Sequence, residues 1–273
     1  MTRFPLTMGP LLAGLFLSQS ACAEEIDIHD LATLSADVVI LGAVHDNPAH
    51  HVNQATAVAA LQPAALVFEV LEPSDALRAT PAARRNARAL SKALKWDDSG
   101  WPDFSMYYPI FVAAPDAAVF GGDLAREVVR RAVRDGAAAA FGAGAELFGL
   151  TTPLYPEEQR TREARRQAAH CNAIADELLP GMVEAQRLRD AALARAVVAA
   201  IAETGGGPVT VIAGNSHART DWGLPRMITR ALPDATVLSV GQLEGPPTTP
   251  PPHDVWLVTP PAQRQDRCAV LLE

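Results

Sequence analysis

Apolar residues gather along this chain in short uninterrupted runs rather than in strict alternation with polar ones. Runs rich in Val, Ile, Leu and Phe occupy 37–44 ("DVVILGAV"), 64–71 ("AALVFEVL"), 117–124 ("AAVFGGDL"), 209–216 ("VTVIAGNS") and 236–243 ("TVLSVGQL"), with a sixth at 254–260 ("DVWLVTP"). Near-continuous hydrophobic strands bounded by Gly, Pro and Asp are expected where both faces of a sheet are covered. Between the runs the spacing turns helical, at 50–61, 74–94, 157–178, 181–203 and 224–231. Strand–helix alternation of this kind predicts an α/β fold with a mostly parallel sheet flanked by helices. No strand signal interrupts 156–204: "PEEQRTREARRQ" opens acidic and stays polar on most faces, Pro180-Gly181 breaks it, and a second helix follows. That pair predicts a helical insertion or lid beside the sheet. The Pro-rich "EGPPTTPPPHD" (244–254) predicts an extended connector to the last strand.

The first 23 residues, "MTRFPLTMGPLLAGLFLSQSACA", stand outside this pattern. Arg3, an apolar stretch to Leu17 and the small-x-small Ala21-Cys22-Ala23 form a signal peptide, leaving 24–273 as a single domain. Export to the periplasm follows as an expectation. Cys22 offers a lipid-anchor alternative, against which Gln19 stands where such a signal needs an aliphatic residue. Cleavage leaves Cys171 and Cys268, a pair able to form one bridge in an oxidising compartment and too few for a thiolate zinc site. The net charge of −8 argues against a nucleic-acid partner, which needs clustered Lys and Arg.

Open parallel sheets collect ligands outside the carboxyl ends of their strands. The first run ends in His45 and Asp46, the second carries Glu69, Asp123 and Arg126 follow the third, and the fourth ends in Asn215, His217 and Arg219. Gly42-Ala-Val-His45 and Gly214-Asn-Ser-His217 repeat one pattern: a glycine closes a strand and a histidine follows three residues on. Glycine there permits close backbone approach. His45, Glu69 and His217 are thus the candidate ligands for a divalent metal ion. A satisfied structural role for each histidine, and a structural partner for the buried Glu69, stand as the plain alternatives. His50 and His51, in the first turn of the next helix, are expected to face solvent or the lid. Arg187 and Asp190, three residues apart, read as a surface ion pair. The aromatic segment 97–114 suits either a flat ligand or a core plug. The chain has no G-x-S-x-G elbow and no phosphate loop, which excludes serine-hydrolase and P-loop chemistry.

Taken in order, "GAVHDNPAHHVNQ", "LVFEVL", "GWPDFSMYYPIF", "AQRLRDAALA" and "AGNSHARTDWGLPR" resemble the ChaN-like haem-binding uptake proteins of the Tiki superfamily. The resemblance spans about 35–245. It implies an exported or lipid-anchored protein serving haem and iron uptake, haem as cofactor, a homodimer, and outer-membrane or periplasmic haem-transport components as partners. It also implies a tyrosine ligand for the haem iron. Tyr107 fits the family's aromatic-x-x-Tyr-x-Pro pattern and Tyr108 is the fallback. Arg126 and Arg219 are the propionate candidates by charge, with His45 and His217 beside them. The wider superfamily includes metal-dependent proteases and esterase-like enzymes whose first motif resembles Gly-Glu-x-His. Here Ala43 replaces the acid, which argues against hydrolysis.

Overall fold

The computed structural model describes residues 23–265 and Cys268. The proposed leader, apart from Ala23, lies outside them. Among the described residues seven parallel strands form one sheet: β1 (Glu24–Glu25), β2 (Val38–Leu41), β3 (Ala65–Phe68), β4 (Ala118–Gly121), β5 (Val209–Ile212), β6 (Val237–Leu243) and β7 (Val255–Val258), in the order β1-β7-β6-β2-β5-β3-β4. The fold is therefore α/β with an all-parallel sheet. β1 is too short to leave a hydrophobic signature and was not anticipated. The Pro-rich connector runs from β6 to β7 without a helix.

Alternate residues feed two cores. Val38, Ile40, Ala65, Val67, Val209 and Val211 face one, while Val39, Leu41, Leu66, Phe68 and Ile212 face the other. The period of two in side-chain direction makes every interior strand apolar on both faces.

Against the second core pack α1 (Pro48–Leu61) and α5 (Phe104–Ala113). Asn47 caps α1 by accepting from the Ala49 N–H at 3.0 Å, and Pro48 supplies the pre-set first turn. The aromatic segment thus holds a helix that propensity and period did not reveal. The helix expected over 74–94 is three: α2 (Pro73–Ala76), α3 (Pro81–Arg84) and α4 (Ala87–Ala93). Pro81 cannot continue a helix, and Thr80 and Asn86 cap new ones through Ala83 N–H and Ala89 N–H.

The first core is covered by α6 (Arg126–Asp135), α7 (Ala137–Phe141), α9 (Leu179–Thr204) and α11 (Leu224–Ala231). Neither α6 nor α7 was anticipated. The insertion expected over 156–204 divides in two. The shorter helix α8 (Pro156–Ala169) packs on α9 from outside. By contrast α9 lies directly on β3, β4 and β5, its Leu188, Ala191, Ala194 and Val197 buried. Only α8 has the place of an insertion. Residues Cys171 and Asn172 take left-handed backbone conformations that end it, and Cys171 is bonded to Cys268. No helix of the described residues is long and apolar enough to cross a membrane.

Phe68 and Phe111 stack at 4.3 Å and 11°, both fully buried, joining β3 to α5. Phe111→Ala is expected to lower the unfolding free energy by about 3–5 kcal/mol. Urea denaturation measures this, and a loss under about 1 kcal/mol would mean that the α1–α5 layer is not part of the cooperative core.

Candidate functional site

Chain order and spatial order reverse between β2 and β5: β2 leads outward to β3, whereas β5 leads back across to β6. A crevice opens at such a point beyond the strand ends. The two Gly-x-x-His turns lie there side by side. A side chain at Gly214 would strike the His45 ring at 2.7 Å, and one at Gly42 would strike Asn215 Oδ1 at 2.5 Å. Glycine at both positions is what lets the turns touch. α10 (Asn215–Ala218), a single turn, carries His217.

Glu69, one residue past β3, stands between the two histidines. Its Oε1 lies 3.2 Å from His217 Nε2 and its Oε2 3.4 Å from His45 Nε2. The Gly214 N–H donates to Oε2 at 2.6 Å. Beyond them the chain of contacts continues on both sides. His217 Nδ1 donates to Asp190 Oδ1 at 2.6 Å, and the Tyr107 hydroxyl meets His45 Nδ1 at 3.1 Å. Five side chains form one line of hydrogen bonds and close ion-pair contacts: Asp190, His217, Glu69, His45, Tyr107.

Electrostatics fix the protons along it. Burial alone would raise the Glu69 carboxyl, but the adjacent His217 and His45 outweigh it and hold the group well below the usual carboxylate range. Burial would likewise discharge His217, yet Glu69 and Asp190 push its pKa up to about 10. With both ring nitrogens donating to carboxylates, His217 is an imidazolium. Burial, then the charge of Glu69, drives the Tyr107 phenol upward, so it keeps its proton.

His50 and His51 do not face solvent. They are buried and hold the β2–α1 turn: His50 Nδ1 accepts from the Val44 N–H at 2.8 Å, and His51 Nε2 donates to the His45 carbonyl at 2.8 Å. Burial lowers the pKa of both, His50 to about 4. Nor do Arg187 and Asp190 pair with one another. Arg187 is buried against Glu184 and the carbonyls of Gly149, Leu150 and Thr152, which frees Asp190 for His217. Asp46, one residue past His45, turns to Arg264 instead. Sequence reasoning missed Asp190 and Gln186 as site residues. The α9 pattern places them four apart, and that spacing on a helix leaning over the crevice was the available signal.

His45, Glu69 and His217 therefore converge as expected, but on each other. The Glu69 oxygens face His217 and His45 at 3.2 and 3.4 Å, and among the described residues no group of three or more His, Cys, Asp or Glu could hold a metal ion. The divalent-metal expectation has no support.

Beside this line lies a cavity of about 740 Å³, within the range of about 300–1,000 Å³ typical of ligand pockets. His45, Glu69 and His217 reach it, together with Trp96, Trp101, Arg126, Arg130 and Arg189. The His45 and Trp101 rings are 4.9 Å apart. Neither tyrosine lines it. Tyr107 is 1% exposed, behind His45, and Tyr108 donates to the Arg84 carbonyl at 3.0 Å. Arg219 is absent from this wall too. It lines a second cavity and pairs with Asp221, so the two arginines expected to act together are separated.

An open parallel sheet with a histidine-, acid- and aromatic-lined crevice at its carboxyl edge defines the chain as an α/β ligand-site protein. It belongs to the family described as haem-binding uptake, Tiki superfamily, ChaN, whose model matches residues 31–228. Among solved structures it is similar to ChaN of Campylobacter jejuni with cofacially bound heme, at 20% identity and a TM-score of 0.62, over 84% of this chain and 89% of that one. The type III effector HopBA1 is more distant, at 13% identity and a TM-score of 0.45, over 86% of this chain and 92% of that one. No curated protein matches the chain.

Because His217 holds its proton more tightly when folded, the stability it contributes is complete below pH 6.5 and is lost as pH rises through about 10. Glu69 acts oppositely: its contribution is present above pH 4.5 and lost as pH falls toward its depressed folded value. Unfolding free energy measured across pH should fall on both sides, and His217→Gln should flatten the alkaline side. An unchanged alkaline slope in that variant would show that His217 is not a folded-state imidazolium.

Proposed function

We propose that this chain is an exported haem-binding protein serving haem or iron uptake, with haem held as cargo in the cavity at the carboxyl edge of the sheet. The observation that carries the reading is that cavity's wall. Trp101 offers apolar surface to a porphyrin plane, with the buried Trp96 behind the same wall, while Arg126, Arg130 and Arg189 offer cations to two propionates. His45 is the ligand-capable side chain on that wall, a quarter exposed, and an imidazole is an accepted axial ligand of haem iron. Tyr107 then serves as its orienting partner through Nδ1 rather than as the ligand itself. A firmly protonated, buried phenol is poorly placed to give the phenolate that ferric iron prefers.

Export to the periplasm, with Cys22 as the residue that would carry a lipid, rests on the leader pattern of residues 1–23. The Cys171–Cys268 disulfide supports an oxidising compartment. A homodimer and envelope transport components as onward partners rest on family membership. Metal-dependent hydrolysis has no comparable support, since Ala43 supplies no acid and Glu69 is held between two histidines.

Titration of the purified chain with haemin, followed by absorption in the Soret region, tests this. The wild type should saturate, His45→Ala should bind at least about tenfold more weakly (about 1.4 kcal/mol), and Tyr107→Phe should still saturate with a shifted band. A tyrosinate-type spectrum abolished in Tyr107→Phe would move the ligand to Tyr107. Absence of saturation in the wild type would sink the haem reading.

A further inference from the structure

A second cavity, of about 540 Å³, lies between α8, the segment after β5 and the Pro-rich connector. Arg162, Arg165 and Arg166 of α8 line it opposite Arg219 and Trp222, and no Asp or Glu is among its lining residues. In a chain of net charge −8, four guanidiniums on one acid-free wall are far from the average surface. The remaining wall is apolar or neutral: Val183, Leu243 and the prolines at 247 and 250–252.

Their compensation is partial: Arg219 pairs with Asp221 and Arg162 with Glu158. Arg162 is 6% exposed; its Nη2 reaches Glu158 Oε1 at 2.5 Å and the Trp222 carbonyl at 3.3 Å, but its Nε and Nη1 have no partner. Arg166 donates to the neutral Gln186 amide. Among the described residues neither Arg165 nor Arg166 has a carboxylate within ion-pair distance. Three guanidinium carbons, of Arg219, Arg162 and Arg165, crowd the Trp222 ring at 3.9, 5.3 and 5.6 Å. Each contact is favourable alone, yet the like charges repel one another in a partly dry pocket. Burial lowers the pKa of Arg162, Arg166 and Arg219, outweighing the opposing pull of Glu158 on Arg162 and of Asp221 on Arg219.

We infer that this cavity is a binding site, separate from the one proposed for haem, for a small organic oxyanion carrying two or more carboxylate or phosphate groups on a compact apolar body. Arginine forks match carboxylate and phosphate oxygens in pairs, and such charge-assisted bonds are about twice as strong as neutral ones. The prolines and Trp222 would bury the rest of the molecule. Arg166, Gln186 and Ser216 line both cavities, so the two sites adjoin, whereas Arg162, Arg165 and Arg219 line the smaller alone and Arg126, Arg130 and Arg189 the larger alone.

Calorimetric titration of the purified chain with citrate and with pyrophosphate, against sodium chloride at matched ionic strength, tests this. Tryptophan fluorescence followed in parallel reports on Trp222. At least one anion should saturate at one per chain and change the fluorescence, and the tighter of the two identifies carboxylate or phosphate as the preferred group. Arg165 is exposed, so Arg165→Glu should keep the wild-type melting temperature, weaken anion binding at least tenfold and leave haemin titration unchanged. Trp222→Phe should abolish the fluorescence change. If neither anion saturates above the chloride control, or Arg165→Glu binds like wild type, the arginines serve only to fasten α8 and the inference fails. Loss of haemin binding in Arg165→Glu would overturn the separateness of the sites.

Discussion

A single buried carboxylate sets the geometry of this molecule's working end. Glu69 is nearly enclosed, and an ionised carboxylate out of water costs several kcal/mol unless it is paired and hydrogen-bonded. Its partners come from the ends of two other strands: His45 after β2, and both His217 and the Gly214 N–H after β5. Satisfying one charge therefore fixes the relative positions of three strand ends. It also explains why both turns open with glycine, since no side chain fits where they meet. His217 in turn needs Asp190, which draws α9 over the same point. The histidines His50 and His51 complete the arrangement from beneath, by tying down the backbone on which His45 rides.

Two cavities flank this line and differ in character. The larger mixes acids, arginines and indoles around His45. The smaller is basic on one side and apolar on the other. Arg166 and Gln186 stand between them, and Gln186 reaches Asp190 Oδ1 at 3.4 Å. A change of charge on the basic side would reach the imidazolium through three hydrogen bonds, Arg166 to Gln186, Gln186 to Asp190 and Asp190 to His217. The family's description as haem-binding uptake proteins concerns a ligand that is itself an organic dianion with a flat apolar body, so basic and aromatic surface near the sheet edge fits that chemistry.

The sequence showed the sheet plainly, because strands covered on both faces leave long apolar runs. It showed His45, Glu69 and His217 for a related reason: polar residues at the ends of such runs have few places to go. It did not show how they would be satisfied. Arg187 and Asp190 have the spacing of a surface pair, and only the packing of α9 on the sheet, with one turned to Glu184 and the other to His217, separates them. α5, α6 and α7 were missed although Asp103, Gly136 and Gly142 mark their ends, because they are short and aromatic, charged or alanine-rich rather than clearly periodic. The helix expected over 74–94 was split by caps at Thr80 and Asn86 that only mattered once Pro81 had broken the run. His50 and His51 were misplaced because burial of a histidine depends on backbone partners that no local pattern reveals.

The strand order carries a kinetic consequence. The innermost strand, β2, pairs with β5 and β6 only, and the nearer of these lies about 170 residues further along the chain. Contacts so distant in sequence slow folding, since the connecting loop must close before they form. At about 5–20 residues per second a growing chain exposes Val38–Leu41 for roughly 10–35 s before any partner strand exists. During that interval this apolar strand is a free segment, open to chaperones; β3 and β4 can pair early, but the centre of the sheet closes only when the last third of the chain arrives.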